Sequence, residues 1–456
     1  MKITFLGGTE TVTGSKYLLS FDSKNILVDC GLFQGKKELR LRNWDKFPID
    51  PKTIDAIILT HAHIDHSGYI PLLVKNGFEG PIYATHGTHD LASILLPDSG
   101  HLQEEEALIA NKFGYSKHHP ALPLYTTQDA LSALKQFESL SFDEPCRLSK
   151  NCRFHFKRAG HILGAACVII EYQDSDINKS ILFTGDLGRT NDPIMLEPDI
   201  ITQANYIVTE STYGDRLHEN KDILSQLQDI INETVNRSGS VIAPAFAVGR
   251  AQILLYYIGK LKESKKIPHI PVYLDSPMAI NATHFLIKNK RDHKLSVIEC
   301  EKLSKVATYT TTIDQSKMLD QLNKPAIIIS ASGMATGGRV LFHLETYAPD
   351  PKNTILFTGY QASGTRGDRM VRGEKFVKIH GKMVPIRAQI KVLDNISAHA
   401  DYKDILKWFG HFSKSPNKIF ITHGEMKAAL SLKQKIEENF KWHVVIPTYL
   451  QSFTLF

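Results

Sequence analysis

The sequence predicts an α/β protein of two domains, one inserted in the other. Three observations support this. The chain has 456 residues, more than one core usually holds. Its hydrophobic share is 42%, enough for ordinary globular cores. The pattern of apolar runs also changes near residue 210. Before that point strand candidates come early and helices later, as in layered sheets. After it, strands and helices alternate regularly, the mark of a parallel sheet built from βαβ units. Residues 1–209 and 381–456 are therefore assigned to one domain, and 210–380 to a second inserted into it.

Within the first part, short apolar runs bounded by turn residues predict strands at Lys2–Leu6, Tyr17–Phe21, Asn25–Val28, Ala56–Leu59, Cys167–Glu171 and Ile181–Thr184. Helices are predicted at Thr88–Leu95, Gln103–Asn111 and Thr127–Phe137. In the insert, strand Ser240–Ala243 leads to helix Gly249–Leu261, and Val272–Leu274 leads to Met278–Lys288. Ala326–Ile329 then leads to Gly337–Thr346, and Thr354–Phe357 follows. The return reads as strands Ile390–Leu393 and Lys418–Thr422, helix Glu425–Glu438 and strand Val444–Pro447.

Composition narrows the class. No stretch reaches the ~18 uninterrupted apolar residues of a membrane span, and the opening Met1-Lys-Ile-Thr-Phe-Leu-Gly-Gly8 reads as a strand and turn rather than a secretory signal. Five cysteines without metal-type spacing fit reduced thiols and a cytoplasmic setting. The formal charge of +6 suits an anionic ligand such as RNA.

The chemistry concentrates after the strand Ala56–Leu59. His61, His63, Asp65 and His66 stand within six residues, between a strand end and a helical stretch through Lys75. Neutral imidazoles and carboxylates are the ligands of a hydrolytic Zn²⁺. His61 and His63, two apart in an extended loop, can face one cation, and Asp65 and His66 can turn to a second. Downstream, His161, Asp186 and His423 each follow a short apolar run, with glycine beside them. A lone histidine is more often structural than a ligand. Three such positions in succession, each at the mouth of a strand, weigh the other way.

The ordered set His-x-His-x-Asp-His, His, Asp, His resembles the metallo-β-lactamase superfamily. Glu210 in Thr-Glu-Ser-Thr-Tyr-Gly, His399 in Ser-Ala-His-Ala-Asp and the long insert narrow the resemblance to its nucleic-acid-processing β-CASP branch, with Asp29 in the first motif. The likeness runs from Lys2 to the final strand. It implies an αββα sandwich carrying the site along one edge, with an inserted parallel-sheet domain. It implies two Zn²⁺, one held by His61, His63 and His161 and the other by Asp65, His66 and His423, with Asp186 bridging. A hydroxide between the ions then attacks phosphorus, so Asp65 counts among the catalytic residues as well as the ligands. His399 is the implied general acid and Glu210 its holder; Asp29 orients the ligand loop behind the metals.

In the insert, the small residues of Ile329–Arg339 are expected to open a helix and expose backbone N–H groups to phosphate, with Ser330, Ser332 and Gly333 as cradle candidates. Arg250, Arg366 and Arg369 are the accompanying cations. The expected substrate is single-stranded RNA lying between the two domains. DNA cleavage by a member of the same branch, hydrolysis of small esters or thioesters, and a non-catalytic scaffold are the competing readings. The insert argues against small esters, the intact ligand set against a scaffold, and histidine at position 423 against DNA.

Overall fold

A computed structural model describes residues 1–114, 116, 118–174, 177–218, 221–359, 361 and 364–456. The chain divides into two compact units, Met1–Leu217 with His399–Phe456, and His218–Ala398.

The first unit contains two seven-stranded sheets. One runs, in spatial order, Ser452–Thr454, Lys2–Phe5, Tyr17–Phe21, Lys24–Val28, Ala56–Ile58, Ile82–Thr85 and Phe137–Leu140. The other runs Val444–Val445, Lys418–Ile421, Tyr206–Thr209, Ile177–Phe183, Ala166–Asp174, Cys152–Arg158 and Cys146–Arg147. Alternate residues of each strand point into the space between them. Phe5, Leu19, Ile26, Val28 and Ile58 from one sheet meet Phe154, Phe156, Val168, Ile170, Phe183, Val208 and Phe420 from the other in one buried cluster. The intervening residues, among them Leu27, Ile57, Ile169, Leu182 and Ile207, are buried as well. Sheets buried on both faces read as near-continuous apolar runs, which is why these strands were legible.

The topology fixes where the site lies. Strands Ile177–Phe183, Tyr206–Thr209 and Lys418–Ile421 are parallel neighbours, so their C-terminal ends share one edge. In the other sheet Lys24–Val28 and Ala56–Ile58 are likewise parallel. Side chains placed one to three residues beyond such ends converge.

The second unit has a six-stranded, all-parallel sheet in the order Thr308–Tyr309, Val272–Asp275, Ile327–Ser330, Val241–Pro244, Thr354–Phe357, Gln389–Val392. Ile242, Ile328, Ile355 and Phe357 pack against Val340, Leu341, Leu344 and Tyr347 of helix Val340–Tyr347 and against Val377, Ile379 and Val384 of a two-stranded hairpin. Beneath the strand ends lies a buried charged network. Asp275 accepts hydrogen bonds from Thr310 Oγ1 (2.7 Å), Ser316 Oγ (2.6 Å), Arg339 Nη1 (2.7 Å) and His343 Nε2 (2.8 Å). His343 Nδ1 donates to Asp320 Oδ1 at 2.7 Å.

Three expectations shift. The strand expected at Ile390–Leu393 in the return segment is Gln389–Val392, and it pairs with Thr354–Phe357. Residues 381–398 thus belong to the second unit, and the return begins at His399. The two helices expected on either side of Pro97 are one helix, His86–Phe113, which runs through the proline. Its Gly100 lies where a Cβ would come within 2.7 Å of Thr127 N, so packing against the next helix start holds the segment helical where local preference would break it. The expected helix start at Gly337 is Val340, with Arg339 at the N-cap.

Candidate metal centre

Every proposed ligand sits just past a strand end or in a turn of the first unit. His61 and His63 follow strand Ala56–Ile58, and Asp65 and His66 occupy the single-turn helix Ile64–Ser67. His161 lies in the turn between Cys152–Arg158 and Ala166–Asp174. Asp186, Glu210 and His423 stand beyond the three parallel strand ends. His399 forms an antiparallel bridge with Gly188, two residues past Asp186. Gly31 holds the ligand helix close: a Cβ there would lie 1.6 Å from the Asp65 carbonyl oxygen. Cys30 N donates to His66 O at 2.7 Å and Leu32 N to Ile64 O at 2.9 Å.

The donor atoms form two clusters, and those of Asp186, Glu210 and His423 make a third group that overlaps both. Those of His61, His63, His161 and Asp186 lie within 4.8 Å of one another, as do those of Asp65, His66 and His423. In the first, His61 Nε2 is 3.1 Å from His63 Nδ1 and 3.4 Å from Asp186 Oδ2. His161 Nε2 is 3.3 Å from His63 Nδ1 and 3.7 Å from the same oxygen. In the second, His423 Nε2 is 3.2 Å from Asp65 Oδ2, and His66 Nε2 is 3.3 Å from Asp186 Oδ1. Asp186 thus presents one oxygen to each cluster.

Hydrogen bonds behind the cluster decide which nitrogens carry protons. Asp29 accepts from Thr60 N (2.8 Å), Thr60 Oγ1 (2.9 Å) and His66 Nδ1 (2.7 Å). The Thr60 hydroxyl gives its one proton to Asp29, so it accepts from His61 Nδ1 at 3.0 Å. Thr212 Oγ1 likewise donates to the His423 carbonyl at 3.3 Å and accepts from His423 Nδ1 at 3.1 Å. As neutral rings, His61, His66 and His423 therefore turn unprotonated Nε2 atoms inward, toward carboxylate oxygens that are also acceptors. His66 Nε2 and Asp186 Oδ1 are buried, and despite their 3.3 Å approach neither has a hydrogen-bond partner. Acceptors facing acceptors at this range need a cation between them. A tetrahedral ion with metal–nitrogen bonds of about 2.0–2.1 Å separates its ligands by about 3.3–3.4 Å. The observed separations of 3.1–3.7 Å bracket that value. The residues fit zinc.

Electrostatics agree. Burial lowers the pKa of His61 to about 3 and of His63 to about 4, and pushes His161 well below the ordinary value, so these imidazoles are neutral ligands. Burial works against ionised Asp186, but positive charge on its neighbours, His423 and His66 when protonated, outweighs it and holds its carboxyl well below the usual range. For His66 burial is likewise outweighed, by the Asp186 and Asp29 carboxylates, which raise its pKa, so that a bound cation would take the place of the second ring proton.

Glu210 is not a surface carboxylate: it is 1% exposed. Its Oε1 accepts from Leu187 N at 2.7 Å, and His399 Nδ1 lies 3.2 and 3.1 Å from its two oxygens. The carboxylate accepts a hydrogen bond from Nδ1–H, so His399 Nε2 is the ring nitrogen that Glu210 does not engage. The His399 ring centroid is 4.4 Å from that of His161.

Two threonines, Thr60 and Thr212, were missed in the sequence. Each precedes or follows a chemically stronger residue, and only the fold reveals which imidazole it meets. The phosphate-cradle candidates fare differently. Ser330 is 1% exposed and its hydroxyl donates to the Asp275 carbonyl at 2.8 Å, so it is a structural residue. Ser332 bonds Thr336 at 3.0 Å, and Gly333 packs where a Cβ would meet Phe246; both precede the helix start by at least seven residues, so neither lies at its N-terminus. Arg250 donates to the Thr358 carbonyl, Arg366 donates to the carbonyls of Lys378, Ala335 and Thr336, and Arg369 pairs with Glu374 at 2.6 Å. These side chains brace turns of the second unit. Tyr360, Ala362 and Ser363 of the Gly359–Arg369 run lie outside the described residues.

Family models match over most of the chain: a metallo-beta-lactamase superfamily domain at residues 18–211, a Beta-Casp domain at 251–370 and a Zn-dependent metallo-hydrolase RNA specificity domain at 383–447. A ribonuclease of Thermus thermophilus is 32% identical over 95% of both chains. The chain belongs to the β-CASP family of metallo-β-lactamase-fold proteins. Other β-CASP relatives include an RNase J-like protein of Methanocaldococcus jannaschii, 31% identical over 98% of this chain and 97% of its own, and a transcription termination factor of Methanosarcina mazei, 32% identical over all of this chain and 72% of its own. A crystal structure of a protein of unknown function from Enterococcus faecalis shares the fold, with a TM-score of 0.56 over 99% of both chains at 14% identity. No helix among the described residues of this β-CASP protein is long and apolar enough to cross a membrane.

Proposed function

We propose that the chain is a two-zinc ribonuclease that hydrolyses phosphodiester bonds of single-stranded RNA. His61, His63 and His161 would hold one ion, Asp65, His66 and His423 the other, and Asp186 both. A pair of zinc ions supplies Lewis acidity toward phosphoryl oxygens and eases the deprotonation of water. The protein's own groups do the rest. Asp29, Thr60 and Thr212 fix the imidazoles in the tautomer that presents a lone pair inward. Glu210 accepts from His399 Nδ1 and orients the ring, so that Nε2 can deliver a proton to the departing 3′-oxygen.

The observation that supports this most is the set of buried imidazole and carboxylate donor atoms 3.1–3.7 Å apart, with His61, His66 and His423 held in one tautomer, beside the His399–Glu210 pair. The names of the relatives, one a ribonuclease and one RNase J-like, favour RNA as the polymer. The test compares cleavage of matched single-stranded RNA, duplex RNA and single-stranded DNA by zinc-loaded protein. Faster cleavage of single-stranded RNA is expected; a preference for DNA, or no cleavage of any of the three, would overturn the reading.

A further inference from the structure

Between the strand that ends at Val28 and the turn at Pro51 lies a segment that the metal chemistry does not use. Residues 36–46 hold Lys36, Lys37, Arg40, Arg42 and Lys46 against Glu38 and Asp45, a net +3 in eleven residues of a chain whose total is +6. Among them stand two large exposed apolar side chains, Trp44 (59% exposed) and Leu41 (53%). Trp408 and Trp442, the other two tryptophans, are buried.

The segment is anchored rather than loose. Asn43 is buried and clasps Phe33 from both sides, accepting from its N–H at 2.9 Å and donating to its carbonyl at 2.8 Å. The Arg42 guanidinium lies over the rings of Tyr449 (4.5 Å) and Phe33 (5.5 Å). Phe47 is buried against Tyr69. With these three residues turned inward, Lys36, Lys37, Arg40, Lys46, Trp44 and Leu41 all face solvent. None of the four cations forms an ion pair among the described residues.

Its placement ties it to the metal centre. Gly31 and Leu32 touch the ligand helix directly, and Lys36 stands only five positions beyond Gly31. A fully extended chain covers at most about 18 Å in that distance. A strand held at the zinc site needs only a few further nucleotides to reach the segment.

We propose that residues 36–46 form an outlying subsite for single-stranded RNA, in which the lysines and Arg40 contact phosphates and Trp44 stacks on an unpaired base. The inference rests on the reading of the metal centre as an RNA-cleaving site. Cations interleaved with an exposed aromatic ring are the composition of a stacking platform for single strands. A duplex keeps its base faces covered, so an exposed indole selects for unpaired nucleotides. An acidic protein would satisfy the cations and leave the indole without a partner of its kind.

The experiment measures binding of end-labelled oligouridylate of 4 and 20 nucleotides by fluorescence anisotropy, on a His399→Ala background so that cleavage does not outrun the reading. Trp44→Ala should weaken binding of the 20-mer about tenfold, with Trp44→Phe retaining most of the affinity. RNA should quench tryptophan emission in the parent and not in Trp44→Ala. Replacing Lys36, Lys37, Arg40 and Lys46 together by alanine should lower the slope of log affinity against log salt by about 2–3, since each phosphate contact on a single strand contributes about 0.7. The loss should be smaller for the 4-mer. Unchanged affinity and salt slope in both variants would overturn the subsite, as would competition by poly-glutamate equal to that by RNA. RNA bound here but never cut by the zinc-loaded wild type would instead overturn the proposed function and leave the subsite standing.

Discussion

At the scale of single residues, the centre depends on groups that never touch a substrate. Asp29 binds Thr60 through both oxygens and His66 through one, and so fixes two ligands at once. Asp29→Ala is expected to weaken zinc binding about 10–100-fold, as loss of such a partner does, measured by competition with a chelator. His399→Ala should leave the zinc content intact and cut turnover about 10²–10⁴-fold, the loss expected of a general acid. Metal analysis beside the cleavage rate separates that role from a ligand's: an emptied centre would make His399 a ligand. The first ligands were legible in the sequence because four of them fall in one short run. His161, Asp186 and His423 were marked only by an apolar run before them and a glycine beside them, and the resemblance assigned each to an ion, since their neighbours in space lie far off in sequence. The Asp275–His343–Asp320 network escaped notice for the same reason, its partners being 68 and 23 positions apart with no local pattern.

At the scale of elements, two contacts decide whether the strand ends stay in place. Gly31→Ala would drive a methyl group into the Asp65 carbonyl. The expected result is a destabilisation of about 1–3 kcal/mol or more, together with lowered zinc content, read by denaturant unfolding and metal analysis. In the second unit, burial alone would lower the His343 pKa, but hydrogen bonds to Asp275 and Asp320 raise it to about 8. Folding therefore favours the protonated ring. Its contribution is complete below the ordinary histidine value near 6.5 and is lost as pH rises through 8, an effect of about 2 kcal/mol. Unfolding of the wild type at pH 6 and pH 9 should show that loss, and His343→Gln should not. Strands buried on both faces were predicted nearly to the residue, Tyr17–Phe21 and Thr354–Phe357 among them. The edge strands Cys146–Arg147 and Ser452–Thr454 are short and mostly exposed, and nothing in their sequence marks them. The loop Ala331–Gly338 misled because its small residues suit a phosphate cradle as well as a tight turn, and only the structure shows the hydroxyls and guanidinium groups engaged within the second unit.

At the scale of the whole molecule, the parallel ends of three strands and a single-turn helix help bring ten side chains from Asp29 to His423 into one unit. The claim that most depends on this convergence is that the two clusters hold two zinc ions and that these are required for RNA cleavage. The direct measurement strips the purified chain with a chelator, restores zinc in steps, and follows bound zinc per chain beside the rate of cleavage of a labelled single-stranded RNA. The account predicts no cleavage by the stripped protein and a rate that rises until two zinc ions are bound. Full cleavage by protein free of metal, or a fully active protein holding no more than one ion, would contradict it.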